Sequence, residues 1–331
     1  MKPGDCRLNR REWMVAAGVT AAAVRAAAQP APAAFPPGVM KVVVPYEAGG
    51  GTDIFGRTLA QRLGEVLQRN VIVENKQGAN GTVGTAFVAR APADGLTMLV
   101  VPAGYAANPA MYRSLPYDQA RDLAPVTMLA SGPLVLVVHP SLPVRSVREL
   151  VAYEKSRPGT LNAGNAGIGS LPHLCCELFN SLAQTKFTSI PYKGAGPAAA
   201  DLLANRVSVY FMNILQALPL VKDGRLRALG VTSLKPSPIA PDIPPVAEQL
   251  PNFDMDNWYG LLVPAGVKPD TVRGLQRAVA QALNDEATRR KLHDNGADVV
   301  ASTPEEFAAF LVRETAKYSR VIDFAGIRNS I

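Results

Sequence analysis

The chain has 331 residues, 48% hydrophobic and 18% charged, with a net charge of +7. Five basic and two acidic residues fall within 1–28, so +3 sits there and +4 is spread over the rest, too mild an excess to argue for nucleic acid as a partner. The length suits two domains of about 150 residues with ample cores. The three histidines are far apart and no H-E-x-x-H or C-x-x-C occurs, so no metal and no cofactor is expected.

Residues 1–28 read as a secretory signal rather than as fold. Arg10-Arg11 precedes a small-residue run, and Ala26-Ala27-Ala28 offers a cleavage site before Gln29. Asn9 to Met14 resembles a twin-arginine signal, with Sec export as the alternative. Residues 29–36 read as a Pro/Ala tether. No later apolar run reaches the ~20 residues a membrane-spanning helix needs.

The stretch Lys41–Leu63 opens the fold. Val42-Val43-Val44 predicts a buried strand, and Pro45 ends it because it has no N–H for the ladder. Gly49-Gly50-Gly51 then leads into a helix carrying Ile54, Leu59 and Leu63. A helix start has unpaired N–H groups and a positive dipole end, and glycines let a ligand approach the backbone. A Walker A loop is excluded because Thr52-Asp53 replaces Lys-Ser/Thr, and the spacing is not G-x-G-x-x-G. Asp53 disfavours a polyphosphate; a single carboxylate fits better, and a plain turn without ligand is the alternative.

Strand signals follow at Val71–Glu74, Thr97–Pro102, Ala124–Leu129 and Leu134–His139, with a turn at Gln77–Gly81 and a helix over Val83–Arg90. Ser146 with Glu149 predicts a capping box for a helix over Val147–Ser156. A second glycine unit, Leu161–His173, precedes a helix over Leu174–Ala183, about 115 residues after the first. Ser170 is placed to cap it and Pro172 suits its first turn. A third loop, Pro191–Pro197, leads into a helix over Ala198–Ala204, followed by strands over Val207–Phe211 and Arg227–Thr232. Trp258–Val263 predicts another strand, and helices are expected over Asp270–Leu283, Glu286–Asp294 and Pro304–Ile322. Strands alternating with helices predict α/β sheets covered on both faces. Cys175 and Cys176 are adjacent, so free thiols are expected, one buried and one partly exposed, since neighbours on a helix point ~100° apart.

Several segments, VPYEAGGGTDIFGRTLAQRL, VENKQGANGTVG, APADGLTML, NPAMYRSLPYD, LVVHPSLPVRSVREL, PYKGAGPAAADLL, RLRALGVTS and WYGLLVPAGVKP, resemble the tripartite tricarboxylate transporter substrate-binding proteins, the Bug family, in family order from about Lys41 to Phe310. The resemblance implies a two-lobed periplasmic binding fold with two hinge crossings that closes on a small carboxylate. Lobe one is expected over 37–133 and 261–331 and lobe two over 134–260, with Leu134–His139 and Trp258–Val263 as the crossings. It implies a ligand site on the first loop (Tyr46, Glu47, Gly49, Gly50, Gly51, Thr52, Asp53) and the second (Asn165, Gly167, Ile168, Gly169, Ser170), with Lys193, Gly194 and Asn213 nearby. The carboxylate is expected on N–H groups near Gly49–Thr52 and Gly167–Ser170, with the Thr52 and Ser170 hydroxyls as side-chain donors. Two departures stand out: Glu47 where Ala or Pro is usual, and Met212 where Asp is usual. Glu47 would repel a second acid group, attract an amine, or point to solvent.

The expected function is a periplasmic, monomeric solute-binding protein that delivers a carboxylate to a membrane permease. A sensor of the same fold is the first alternative. A hydrolase or isomerase is the second, disfavoured because Ser170 and His173 lack a G-x-S-x-G setting and an orienting acid, so no catalytic residue is expected.

Overall fold

The structure, a computed structural model, describes residues 35–330; the signal and most of the tether expected at 1–36 lie outside the described residues. The β-branched run forms strand β1 (Met40–Val44), and the glycine turn delivers helix α1 (Gly51–Leu67). Strand β2 (Val71–Asn75), helix α2 (Thr82–Ala89) and strand β3 (Thr97–Pro102) follow, then a short helix α3 (Asn108–Met111).

Strand β4 runs unbroken over Leu123–Val138, where the sequence suggested two strands split by Gly132-Pro133. The strand passes through because these two residues mark a change of partners rather than a turn. Up to Pro133 it pairs with β9 (Asp256–Pro264), and from Leu134 with β7 (Val209–Asn213) and β8 (Arg227–Val231). Gly132 is required there: a Cβ would lie 1.9 Å from the Gly296 carbonyl oxygen.

Helix α4 (Val147–Ser156) is capped by Ser146, but Glu149 reaches back to Arg145 N (2.7 Å), not to the cap residue's own N–H, so the capping box is half formed. Strand β5 (Asn162–Asn165) leads through the second glycine loop into helix α5 (Leu171–Ala183), then strand β6 (Thr188–Pro191) and helix α6 (Ala195–Leu203). Helix α7 (Ile214–Lys222), with Pro219 inside it, is not among the expected elements; Asn213 starts it by accepting from Leu215 N (3.0 Å). The chain ends in helices α8 (Pro269–Leu283) and α9 (Glu286–His293), a two-residue strand β10 (Asp298–Val299), and α10 (Pro304–Phe324), which carries a complete capping box at Thr303 and Glu306.

Two sheets share β4. The first has the order β2-β1-β3-β9-β4-β10 and the second β8-β4-β7-β5-β6. The return crossing precedes Asp256, because β9 pairs along its whole length within the first sheet; the crossing expected at Trp258–Val263 is therefore corrected to the residues before it.

Strand directions fix where the loops go. In the first sheet β1 is parallel to β3, and β3 and β4 are both antiparallel to β9, so β1 and β4 run the same way. In the second sheet β7 is antiparallel to β4 and parallel to β5, so β5 runs against β4. Since β4 travels from the first sheet into the second, β1 points toward the second sheet and β5 points back toward the first. Both C-terminal strand ends, each with its glycine loop, meet the boundary between the sheets.

The aromatic core follows the same division. Phe179, Phe211 and Phe253 pack in the second half, Phe179–Phe253 edge-on and Phe211–Phe253 stacked. Trp258 lies edge-on to Phe307 and Phe310 of α10. Helix α10 also packs on α5, so the C-terminal helix touches both halves rather than completing the first alone. That contact explains Cys175 and Cys176: both thiols are free and both are buried, because α5 is covered by its sheet on one face and by α10 on another.

Candidate functional site

Asp53 organises the first loop. Its carboxylate, 2% exposed, accepts from Arg57 Nε (2.8 Å), Gly49 N (2.8 Å) and Asn75 Nδ2 (2.8 Å). Burial by itself would raise its pKa, but these hydrogen bonds outweigh burial and hold it below the usual carboxylate value. Asp53 therefore braces its own loop, and the Gly49 N–H, expected as a ligand donor, already donates to it. Gly49 adopts φ +84, a left-handed turn that glycine makes without a Cβ penalty. The N–H groups of Gly50, Gly51, Thr52 and Asp53 have no partner among the described residues. These are the orphan donors of a helix start, at the positive end of its dipole. The Thr52 hydroxyl is likewise without a bond among the described residues. Tyr46 does not reach the loop's open side: its hydroxyl donates to Asn80 O (3.2 Å), which Asn108 also approaches.

The second loop is built on the same plan with different side chains. Asn165, 1% exposed, accepts from Gly167 N (2.9 Å) and donates to Ser189 Oγ (2.8 Å). Gly169 N donates to His173 Nδ1 (3.0 Å) and Ser170 N to Gly167 O (3.1 Å). Three N–H groups expected to meet the ligand are thus used inside the loop, and Asn165 is structural. Those of Ala166, Ile168 and Leu171 have no partner among the described residues. Ser170 Oγ caps α5 by accepting from His173 N (3.4 Å), which leaves its own proton free to donate.

The remaining candidates surround these loops. Glu47 and Lys193 are exposed, Ile168 is 55% exposed, and Gly194 precedes α6 at φ +103. Asn213 caps α7 beside Gly296, at the boundary of the sheets. Met212 is fully buried, so its departure from the usual Asp falls in the core and not in the site.

Tyr259 of β9, which the sequence reading did not single out, lies against the first loop. Its ring stacks on Phe55 (3.9 Å, 18°), and its hydroxyl accepts from Asn257 Nδ2 (3.2 Å). That hydroxyl lies over Gly51 so closely that a Cβ there would be 2.9 Å away. Burial raises its pKa, partly offset by Asn257, so it remains a protonated donor beside the orphan N–H groups. Its segment, WYGLLVPAG, was visible; only the pairing of β9 with β3 and β4 shows that the tyrosine turns toward the loop.

Both loops stand open to solvent. A cavity of about 770 Å³ lies elsewhere, between Tyr112, Leu115, Leu123 and the Leu311–Val312 face of α10. Among the described residues no group of three or more His, Cys, Asp or Glu side chains is placed to hold a metal, and no helix is long and apolar enough to cross a membrane.

Two α/β halves joined by a shared strand, with anion-friendly helix starts on both sides of the boundary, define the class of two-lobed solute-binding receptors. The chain matches the model of the tripartite tricarboxylate transporter family receptor over residues 55–327 and belongs to that family, whose members are periplasmic receptors. It is 33% identical to protein BugT of Bordetella pertussis over 97% of this chain and 99% of that protein. Among solved structures it resembles Rpa4515 of R. palustris with adipate (34% identity, 88% of this chain and 99% of that one, TM-score 0.75). It also resembles MatC from Rhodopseudomonas palustris with bound malate (31%, 87% and 100%, TM-score 0.72).

Proposed function

We propose that this protein binds a small carboxylate between its lobes and hands it to the membrane permease of a tripartite transporter. The observation that carries this reading is the pair of helix starts with unpaired N–H groups, one from each side of the sheet boundary, with the Thr52, Ser170 and Tyr259 hydroxyls as neutral donors. Such a site needs no buried lysine, because the helix dipoles and N–H groups supply the positive potential. Each charge-assisted bond contributes about 1.5–3 kcal/mol, so a few suffice for micromolar affinity after ordering costs. Donors from both lobes favour the closed form and shift the population toward it. The relatives with adipate and malate support a carboxylate as the ligand class.

The lobes are assigned to 37–133 with 256–331 and to 134–255. The protein acts in the periplasm after cleavage near Gln29, as a monomer and without catalysis. A thermal-shift panel of mono- and dicarboxylates tests this, because a ligand that binds only the folded state raises the melting temperature. Stabilisation by adipate, malate or another acid in the panel is expected. A panel in which amines or neutral sugars stabilise and no acid does would overturn it.

A further inference from the structure

His173 stands directly behind the second loop, and the carboxylate reading gives it no role. Its ring is 5% exposed, with Nδ1 3.0 Å from Gly169 N. A backbone N–H only donates, so Nδ1 is the acceptor and the ring proton sits on Nε2. Nε2 faces Glu177 Oε1 at 3.7 Å, one helical turn on. Glu177 is the one charged group within ion-pair range of the ring among the described residues; the loop, β5, β7 and α10 bring none.

The contact restrains an unusual backbone. Gly167 and Gly169 adopt φ +124 and +77, and their N–H groups are drawn inward by Asn165 and His173 respectively. With those two donors held inward, Ile168 and Leu171 keep the unpaired N–H groups. A proton on Nδ1 would set two donors against each other in a buried place, and the contact would be lost. The start of α5 disfavours that proton through its dipole, and burial likewise lowers the affinity of the ring for it.

We propose that His173 is a positioning residue for the ligand site: as a neutral imidazole it accepts the Gly169 N–H and fixes the Asn165–Ser170 loop so that the Ile168 and Leu171 N–H groups remain available to an anion. This rests on the carboxylate reading and adds a pH dependence to it: affinity falls on acidification as His173 takes up a proton.

The test has two arms. Nitrogen-correlation NMR of the ligand-free protein reads the tautomer and titration of His173. Bare Nδ1 with a midpoint below 6.5 is expected; a proton on Nδ1, or a midpoint at or above that value, overturns the proposal. Calorimetry with adipate and malate at about pH 7.5 and about pH 5.5 then compares His173→Asn, which keeps an acceptor near Nδ1 and does not titrate, with His173→Leu, which has none. His173→Leu should bind about tenfold more weakly, one hydrogen bond's worth, with His173→Asn within about threefold of wild type. Wild type should lose more affinity on acidification than His173→Asn, whose loss reports protonation of the ligand alone; an equal loss in both overturns the pH dependence. Equal binding by wild type and His173→Leu, with both folded, overturns the positioning role. If neither acid binds any variant, the carboxylate reading is what fails, and the NMR arm still decides the role of His173.

Discussion

Replacing Asp256 by asparagine should stabilise the protein at pH 8 and leave it unchanged near pH 4. Asp256 begins β9, where the chain re-enters the first sheet. Its Oδ2 meets Ser131 Oγ on β4 (3.4 Å), and its Oδ1 is buried without a partner. The nearby carboxylates are Asp254 and Glu314, and the one cation, Lys317, is already bound to Glu314 Oε1 (2.7 Å) and Asp254 O (2.8 Å). Burial first, and Asp254 next, push the Asp256 pKa from 3.8 to about 6, against the pull of Lys317 and Ser131. A raised folded-state value means the folded protein binds the proton more tightly than the unfolded chain. The resulting stability is full below the unfolded pKa, is lost as pH rises through about 6, and is absent at pH 8. A shift of about two units corresponds to about 3 kcal/mol at 1.36 kcal/mol per unit, and local relaxation reduces this to about 1–3 kcal/mol. Asparagine keeps the shape and removes the charge. Urea unfolding of both proteins across this range reads the difference between them, which cancels the titrating groups that do not interact with Asp256. A variant no more stable than wild type at pH 8, or a difference that does not shrink on acidification, would refute the reasoning.

Other expectations follow from the loops. Gly50→Val should melt like wild type, since a Cβ there meets only Glu47 O at 3.7 Å, yet lose carboxylate affinity by about a hundredfold or more as the orphan N–H groups are blocked; Lys193→Ala should weaken binding less, and calorimetry compares the two. Asp53→Ala should cost about 2–4 kcal/mol in urea unfolding by leaving Arg57, Gly49 N and Asn75 without their shared acceptor. Because the Asp53 pKa is lowered on folding, its stabilisation is present at neutral pH and fades as pH falls below the ordinary aspartate range, so wild type and variant should converge in acid. Lysine at Arg10 and Arg11 should block export by the twin-arginine route, read by N-terminal sequencing of the secreted protein; unaffected export would leave the Sec route.

The strand–glycine–helix units at Lys41–Leu63 and Leu161–Ala183 were legible because periodicity and glycine punctuation are local signals. The use of each N–H was not. Asp53 and Asn165 were read as ligand contacts, and the bonds by which they support their own loops were not legible, since only the fold brings Asn75 and Ser189 to them. Gly132-Pro133 looked like a turn because the punctuation is the same whether a strand ends or changes partners. Tyr259 was not singled out, and His173 was weighed only against catalysis, for a shared reason: the contact each makes, with Gly51 and with Gly169 N, depends on where the fold places the loop. The second thiol of the Cys175-Cys176 pair was expected to be partly exposed, and α10, more than 100 residues later in the chain, covers it.

The central claim is that a carboxylate is held by helix N–H groups from both lobes. The most direct measurement is a pair of calorimetric titrations, using the acid that raises the melting temperature most and its amide analogue. The amide keeps the size and shape but loses the charge on which the helix dipoles and charge-assisted bonds act. Binding weaker by at least about a hundredfold for the amide is predicted. Equal affinity for acid and amide would contradict the account.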